Sequence, residues 1–356
     1  MLQERALPDT VRILAIDGGG IRGIIPARVL QEIERRTGMP ANQLFDLISG
    51  TSTGGIICCG LLKGMSAKSL GDLYAQRGGE IFARSMWQRL TNPQQLTGPK
   101  YEAQTLEDIL AKTVGETWLS ETTGPELLVP TYVIELPKPA DGDGYDIVTT
   151  RMPYFFKSWK ARGTALSPGD VREELDFQLK SIARATSAAP TYFPPAQISN
   201  RKGQTFGAVD GGVFANNPAM CALISAYKIF PKARRFIVAS LGTGSLERDI
   251  PYSEAKDWGE LQWLHPILSI LMDGNADTVC YECDQVLGDD HFRFEITLGR
   301  DPNDPTAVNE DFDDASVDNI RRLEARAQLL IKDADSKLDK LCELLVPAGG
   351  RPAAEV

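Results

Sequence analysis

Two apolar runs near the start of the chain, residues 11–16 and 45–49, each break into a cluster of small residues and then give way to a helical stretch. The clusters are Asp17-Gly18-Gly19-Gly20-Ile21-Arg22-Gly23 and Gly50-Thr51-Ser52-Thr53-Gly54, and the helices read as residues 26–37 and 55–62. Short apolar runs bounded by turn residues are the pattern of strands buried on both faces. Strand, turn, helix, repeated, predicts an α/β fold with a parallel beginning, because parallel neighbours need a crossover and a helix supplies it. Both clusters then fall at carboxyl ends of strands, where open α/β sheets gather their ligands.

The second cluster is G-x-S-x-G. Small flanking residues there permit the strained strand-to-helix turn that presents a serine hydroxyl, so Ser52 is the candidate nucleophile, with Gly50 and Gly54 as its elbow glycines. The first cluster can aim several backbone N–H groups at one point, which a developing oxyanion needs. Gly18, Gly19, Gly20 and Gly23 are its candidate members, and Arg22 adds positive charge. A third signature, Asp210-Gly211-Gly212, follows a predicted strand at 204–209. Asp-Gly is a common turn dipeptide, but at the end of a strand Asp210 is also a candidate base for a serine proton.

Together these residues resemble the patatin-like phospholipases, lipid acyl hydrolases that use a Ser–Asp dyad and no histidine. Residues 17–23 match that family's oxyanion-hole motif, 50–54 its nucleophile elbow and 210–212 its D-G-G motif, with further matches at 183–190 and at Asn216-Asn217-Pro218. The resemblance implies a three-layer sandwich with a mostly parallel central sheet flanked by helices. It also implies Ser52 and Asp210 as catalytic pair, membrane phospholipids or related acyl lipids as substrate, and no metal or cofactor. In length and in its acidic-to-helical segment 311–345 the chain further resembles bacterial members that act in anti-phage defence under a cyclic dinucleotide. That makes such an activator, with homo-oligomerisation, the alternative reading, although the sequence carries no nucleotide motif for it.

Competing readings of the same residues are weaker. Gly18-x-Gly20-x-x-Gly23 fits the dinucleotide fingerprint, but that fold needs an acid at the end of its second strand, and this strand ends in Gly50-Thr51-Ser52. His265 and His291 both follow Asp210 and so permit a Ser–Asp–His order, yet neither sits in a supporting motif. Cys280-x-x-Cys283 is half of a zinc site without a second pair. Cys58 and Cys59 read as buried small residues.

At 356 residues with 42% hydrophobic content, the chain reads as one α/β domain, because the three signatures must converge on one site. The catalytic core is predicted over about 11–245, with a helical elaboration at about 255–345. The formal charge of −10 argues against general affinity for nucleic-acid polymers. No secretory signal is visible at the N-terminus, and the longest apolar stretches fall far short of the roughly 20 residues a membrane span needs. Location in the cytoplasm, with action at the membrane surface, is the expectation. Further strands are predicted at 127–135, 145–150 and 235–240, helices at 104–113, 172–185 and 218–230, and loops at 85–100 and 137–144. The acids at 310–314 are expected to cap a C-terminal helical stretch over 314–345. Residues 258–272, with Trp258 and Trp263 among aliphatics, read as a helix packed on the core or as a lipid-facing lid.

Overall fold

The computed structural model describes residues 8–82, 98–136, 151–163, 171–246, 250–299, 307–309 and 311–346. Strands β1 (Thr10–Ile16), β2 (Leu47–Gly50), β3 (Glu126–Glu135), β4 (Met152–Lys157), β5 (Ala196–Ser199), β6 (Thr205–Asp210), β7 (Arg235–Leu241) and β9 (His291–Phe294) form one mixed sheet. β8 (Ser245–Leu246) and β10 (Thr297–Leu298) form a separate parallel pair. In the large sheet β1 pairs in parallel with β2 and β7, β2 with β3, and β7 with β9, while β4, β5 and β6 pair antiparallel.

The sheet is buried on both faces because β1 carries apolar residues at odd and even positions alike. Val11, Ile13 and Ala15 face a core closed by Ala219, Ala222 and Leu223 of helix Ala219–Ile229 and by Val279 and Cys283 of helix Glu260–Leu287. Leu14 and Ile16 face the larger core, built with helices Ile24–Thr37, Thr53–Leu62, Ala67–Ile81, Ala103–Thr113 and Leu179–Thr186. These are the three layers. Helix Thr53–Leu62 is apolar all round and buried at every residue, as a central helix must be.

β3 decides where the site forms. Leu128 pairs with Ser49 of β2 and also with Lys157 of β4, while Thr131 pairs with Tyr154 of β4 and with Asp210 of β6. β4 occupies one edge of β3 throughout, so β2 and β6 share the other and run toward each other along it. They stop with two β3 positions, 129 and 130, between them. The Glu126 N–H bonds Asp46 O on the β2 side and the Leu127 N–H bonds Ser158 Oγ on the β4 side. Alternation therefore turns the backbone nitrogen of residue 130 into the gap, and Pro130 gives up no ladder bond there. The carboxyl ends of β2 and β6, bearing the elbow and Asp210, meet at this gap.

Several expectations need correcting. The helix expected over 172–185 is a single 3-10 turn, Glu173–Leu175, then an extended stretch, then helix Leu179–Thr186. The fully buried Asp176 carboxylate explains the break: it accepts from Ser120 N–H at 2.9 Å, from Ser120 Oγ at 2.7 Å and from Arg201 Nε at 3.2 Å. These bonds hold the segment out of a helix, and helical propensity yields to tertiary contacts. The strand expected at 145–150 and the loop at 137–144 lie outside the described residues, as does most of the loop at 85–100; the described strand is β4. The C-terminal stretch is two helices, Val317–Asp333 and Asp335–Leu345. Ser316 caps the first, accepting from the Asn319 N–H at 3.3 Å. Asp313, expected to cap it, is buried instead and accepts from Tyr101 Oη and Lys100 Nζ, each at 2.6 Å. Among the described residues no helix is long and apolar enough to cross a membrane.

Candidate active site

Ser52 sits between β2 and helix Thr53–Leu62 at φ 53°, ψ −120°. An L-residue held in that region stores about 1–3 kcal/mol of strain, and the surroundings must fix it. The Ser52 N–H donates to Thr186 Oγ1 at 3.0 Å, and Thr186 Oγ1 donates to Pro130 O at 2.7 Å, in the gap between β2 and β6. Thr51 Oγ1 donates to Ala215 O at 2.7 Å, tying the elbow to the chain just past Asp210. Gly54 lets the elbow lie against β1: a Cβ there would stand 2.3 Å from Ile16 O. Thr186→Val keeps the side-chain shape and removes both hydroxyl bonds. It is expected to cost about 1–3 kcal/mol in chemical denaturation, with Thr186→Ser restoring most of it; equal stability of all three would show that the hydroxyl does not hold the elbow.

Asp210 lies opposite, 4% exposed against 8% for Ser52. Burial raises its carboxyl to about 7, opposed by a hydrogen bond from the Gly212 N–H at 2.7 Å and, to a smaller extent, by the neighbouring Ser52 hydroxyl. Its own N–H is bound to Ala188 O at 3.0 Å. The elbow hydroxyl and a buried carboxyl poised near neutral pH thus line one pocket, the setting in which a general base can activate a nucleophile.

The glycine run lies alongside, and its members divide. The Gly18 N–H is spent on Asn216 O at 3.1 Å, Gly18 O accepts from Thr243 Oγ1 at 2.8 Å, and the Ile21 N–H is spent on Phe312 O at 2.8 Å. Gly19 and Gly20 line the pocket with Ser52 and Asp210. Both stand at the start of the one-turn helix Gly20–Gly23, where N–H groups have no intrahelical partner. Gly20 has φ +57° and a Cβ on it would meet Phe312 O at 2.3 Å, so no other residue fits. Gly18, Arg22 and Gly23 do not line the pocket. The buried Arg22 guanidinium lies 4.5 Å from the Phe312 ring centroid, with Nη1 3.3 Å from Gly244 O, and Gly23 packs against Thr53. Asp17, first residue of the motif, pairs with Arg293 of β9 at 2.7 Å.

The rest of the pocket is apolar. Ile56, Tyr74, Ile81, Phe82, Leu106 and Phe193 form much of its wall, and the rings of Phe82, Tyr101 and Phe193 pack together. Met272, Phe312 and Asp313 also reach it from the C-terminal third of the chain. His291 does not join them. His291 Nδ1 lies 2.6 Å from Asp284 Oδ1 and the residue is outside the pocket lining. His265 lies in the backbone of helix Glu260–Leu287, and its side chain is outside the described residues. Among the described residues no group of three or more His, Cys, Asp or Glu is placed to hold a metal ion.

Sequence reading passed over the parts played by Thr186, Asn216, Thr243 and Phe312. Thr186 and Asn216 lie in segments singled out by resemblance, and each is a polar residue in an otherwise small or apolar stretch, which is a usable signal. Thr243 and Phe312 carry none.

An elbow serine, a buried carboxylate and a glycine nest over an apolar pocket form the layout of a serine acyl hydrolase. Residues 14–223 match the sequence profile of the patatin family, described as patatin-like phospholipase. Patatin-like protein 1 of Arabidopsis thaliana is 32% identical over 312 residues, covering 76% of this chain and 69% of that protein. Patatin-like protein 2 of the same plant is 30% identical, covering 96% of this chain and 88% of the relative. Probable inactive patatin-3-Kuras 1 of Solanum tuberosum is 29% identical, covering 93% of this chain and 89% of the relative. Among solved structures, human GIVD cytosolic phospholipase A2 aligns at TM-score 0.49 and 11% identity, over 97% of this chain and 61% of that one. The chain belongs to the patatin-like phospholipase family and is a lipid-hydrolysing carboxylic ester hydrolase.

Proposed function

We propose that the protein releases fatty acids from membrane glycerolipids through a Ser52–Asp210 dyad. The observation that carries this reading is that a strained elbow serine and a buried carboxyl, raised by burial to about 7, line the same apolar pocket. Ser52 Oγ attacks the ester carbonyl carbon and its proton passes to the Asp210 carboxylate. The Gly19 and Gly20 N–H groups receive the oxyanion, and the protonated Asp210 hands its proton to the departing alkoxide. Water then attacks the acyl-serine while Asp210 takes its proton, and Ser52 Oγ leaves with that proton as the fatty acid is freed. The apolar wall from Ile56 to Phe193 holds the acyl chain.

The base works only when ionised, so turnover of a soluble ester is expected to rise with pH through about 7 and to level off above it. Initial rates across the pH range test this, with free fatty acid from a mixed-micelle phospholipid measured in parallel. A rate that is already maximal near pH 5 would remove Asp210 from the role of base, and soluble-ester turnover without fatty acid release would remove glycerolipids as substrate.

A further inference from the structure

Helix Glu260–Leu287 reaches the site through Met272, which lines the pocket with Ser52 and Asp210. Three apolar residues just before Met272 turn to solvent instead. Ile267, Ile270 and Leu271 are 47%, 44% and 54% exposed, and the spacing i, i+3, i+4 puts them on one helix face. Trp263 stands four residues before Ile267 on that face, with its ring edge-on to Trp258 at 5.2 Å between centroids. Gly274 and the exposed Tyr281 continue the stripe. The opposite face is anchored: Val279 and Cys283 are buried in the core beneath β1 and β7, and Asn275 bonds Asn217 N–H and Phe214 O.

The stripe's charge pattern selects its occupant. The helix holds Glu260, Asp273, Asp277, Glu282 and Asp284 and no lysine or arginine, and none of these acids stands at 263, 267, 270, 271, 274 or 281. On a chain of net charge −10, such a face is repelled by an anionic surface and has no cation to offer it. Tryptophan and branched aliphatics beside one another are suited to the boundary between headgroups and acyl chains. Three aliphatic side chains and an indole fall short of the roughly 800 Å² per partner that a stable protein interface buries, whereas a reversible lipid contact needs only a few inserted side chains.

We propose that the Trp263–Ile267–Ile270–Leu271 face docks on a zwitterionic glycerolipid surface by apolar insertion, bringing the helix that lends Met272 to the pocket onto the lipid. The proposal rests on the lipid-hydrolase reading for its purpose, while the docking is measurable without chemistry. Ser52→Ala protein is mixed with phosphatidylcholine vesicles and sedimented. Binding is expected, unchanged between low and high salt, and weaker on vesicles containing phosphatidylglycerol. Ile267→Glu with Leu271→Glu in that background is expected to weaken binding by roughly tenfold or more at unchanged melting temperature, and Leu271→Gln gives a smaller loss in the same direction if the double variant fails to fold. In the active background the same substitutions are expected to leave soluble-ester turnover intact. Absence of that turnover from the unmutated protein as well would strike the hydrolase reading alone, since vesicle binding judges the stripe separately. The proposal is overturned if phosphatidylcholine binding survives the double substitution, if only anionic vesicles bind and salt abolishes it, or if the protein is a dimer that the substitutions dissolve and that never sediments with lipid.

Discussion

Ser52→Ala is expected to lower acyl-ester turnover by roughly 10⁴-fold or more, since the group that forms the covalent intermediate is gone. The fold should survive. The Ser52 N–H to Thr186 and the Thr51 hydroxyl to Ala215 hold the elbow through groups the substitution does not touch. Alanine keeps a Cβ in the same φ 53° position, so the strain stays and a melting temperature within a few degrees of the parent is expected. Initial rates and a thermal melt on one preparation check both halves. Retained turnover in the folded variant would move the nucleophile elsewhere.

Asp210→Asn has the second large effect, a loss of roughly 10²- to 10⁴-fold, the range that a positioned general base supplies. It carries a stability signature that a merely structural aspartate would lack. The folded carboxyl titrates at about 7, raised by burial from its ordinary 3.8. A raised carboxyl contributes its full stability below the unfolded value and loses it as pH climbs through the folded one. Wild type should therefore lose stability relative to Asp210→Asn between about pH 4 and pH 7, with the difference level above that window. Asparagine can still accept from the Gly212 N–H through its carbonyl oxygen, so the turn is kept. Denaturation curves for both proteins across that range measure the difference, and parallel pH profiles would mean that Asp210 titrates as an ordinary exposed acid.

The parts of the site legible in the sequence are those made by neighbours in the chain. A strand that breaks into G-x-S-x-G declares its elbow locally, and the glycine nest follows β1 in the same way. That Asp210 meets Ser52 depends on β3, whose single edge receives β2 from one direction and β6 from the other. No local pattern encodes such a meeting; the motif order of a known family supplied it. The roles within the nest are not legible locally for a related reason. Asn216 takes the Gly18 amide and Phe312 the Ile21 amide, both from far along the chain, and Arg22 is drawn under the Phe312 ring. Residues 172–178 depart from the predicted helix because buried Asp176 holds them as a 3-10 turn followed by an extended stretch. Met272 shows the converse case: its helix was visible in the sequence, but only packing tells which residue turns into the pocket.

The most direct test of the account is covalent. The protein is treated with a serine-reactive alkyl fluorophosphonate at pH 8 and the adduct is located by peptide mass mapping in wild type, Ser52→Ala and Asp210→Asn. The adduct is expected on Ser52 in wild type, absent from Ser52→Ala and formed far more slowly in Asp210→Asn, while His291→Ala labels at the wild-type rate. An adduct on any other serine, or labelling of Ser52 that does not depend on Asp210, would contradict a dyad of these two residues.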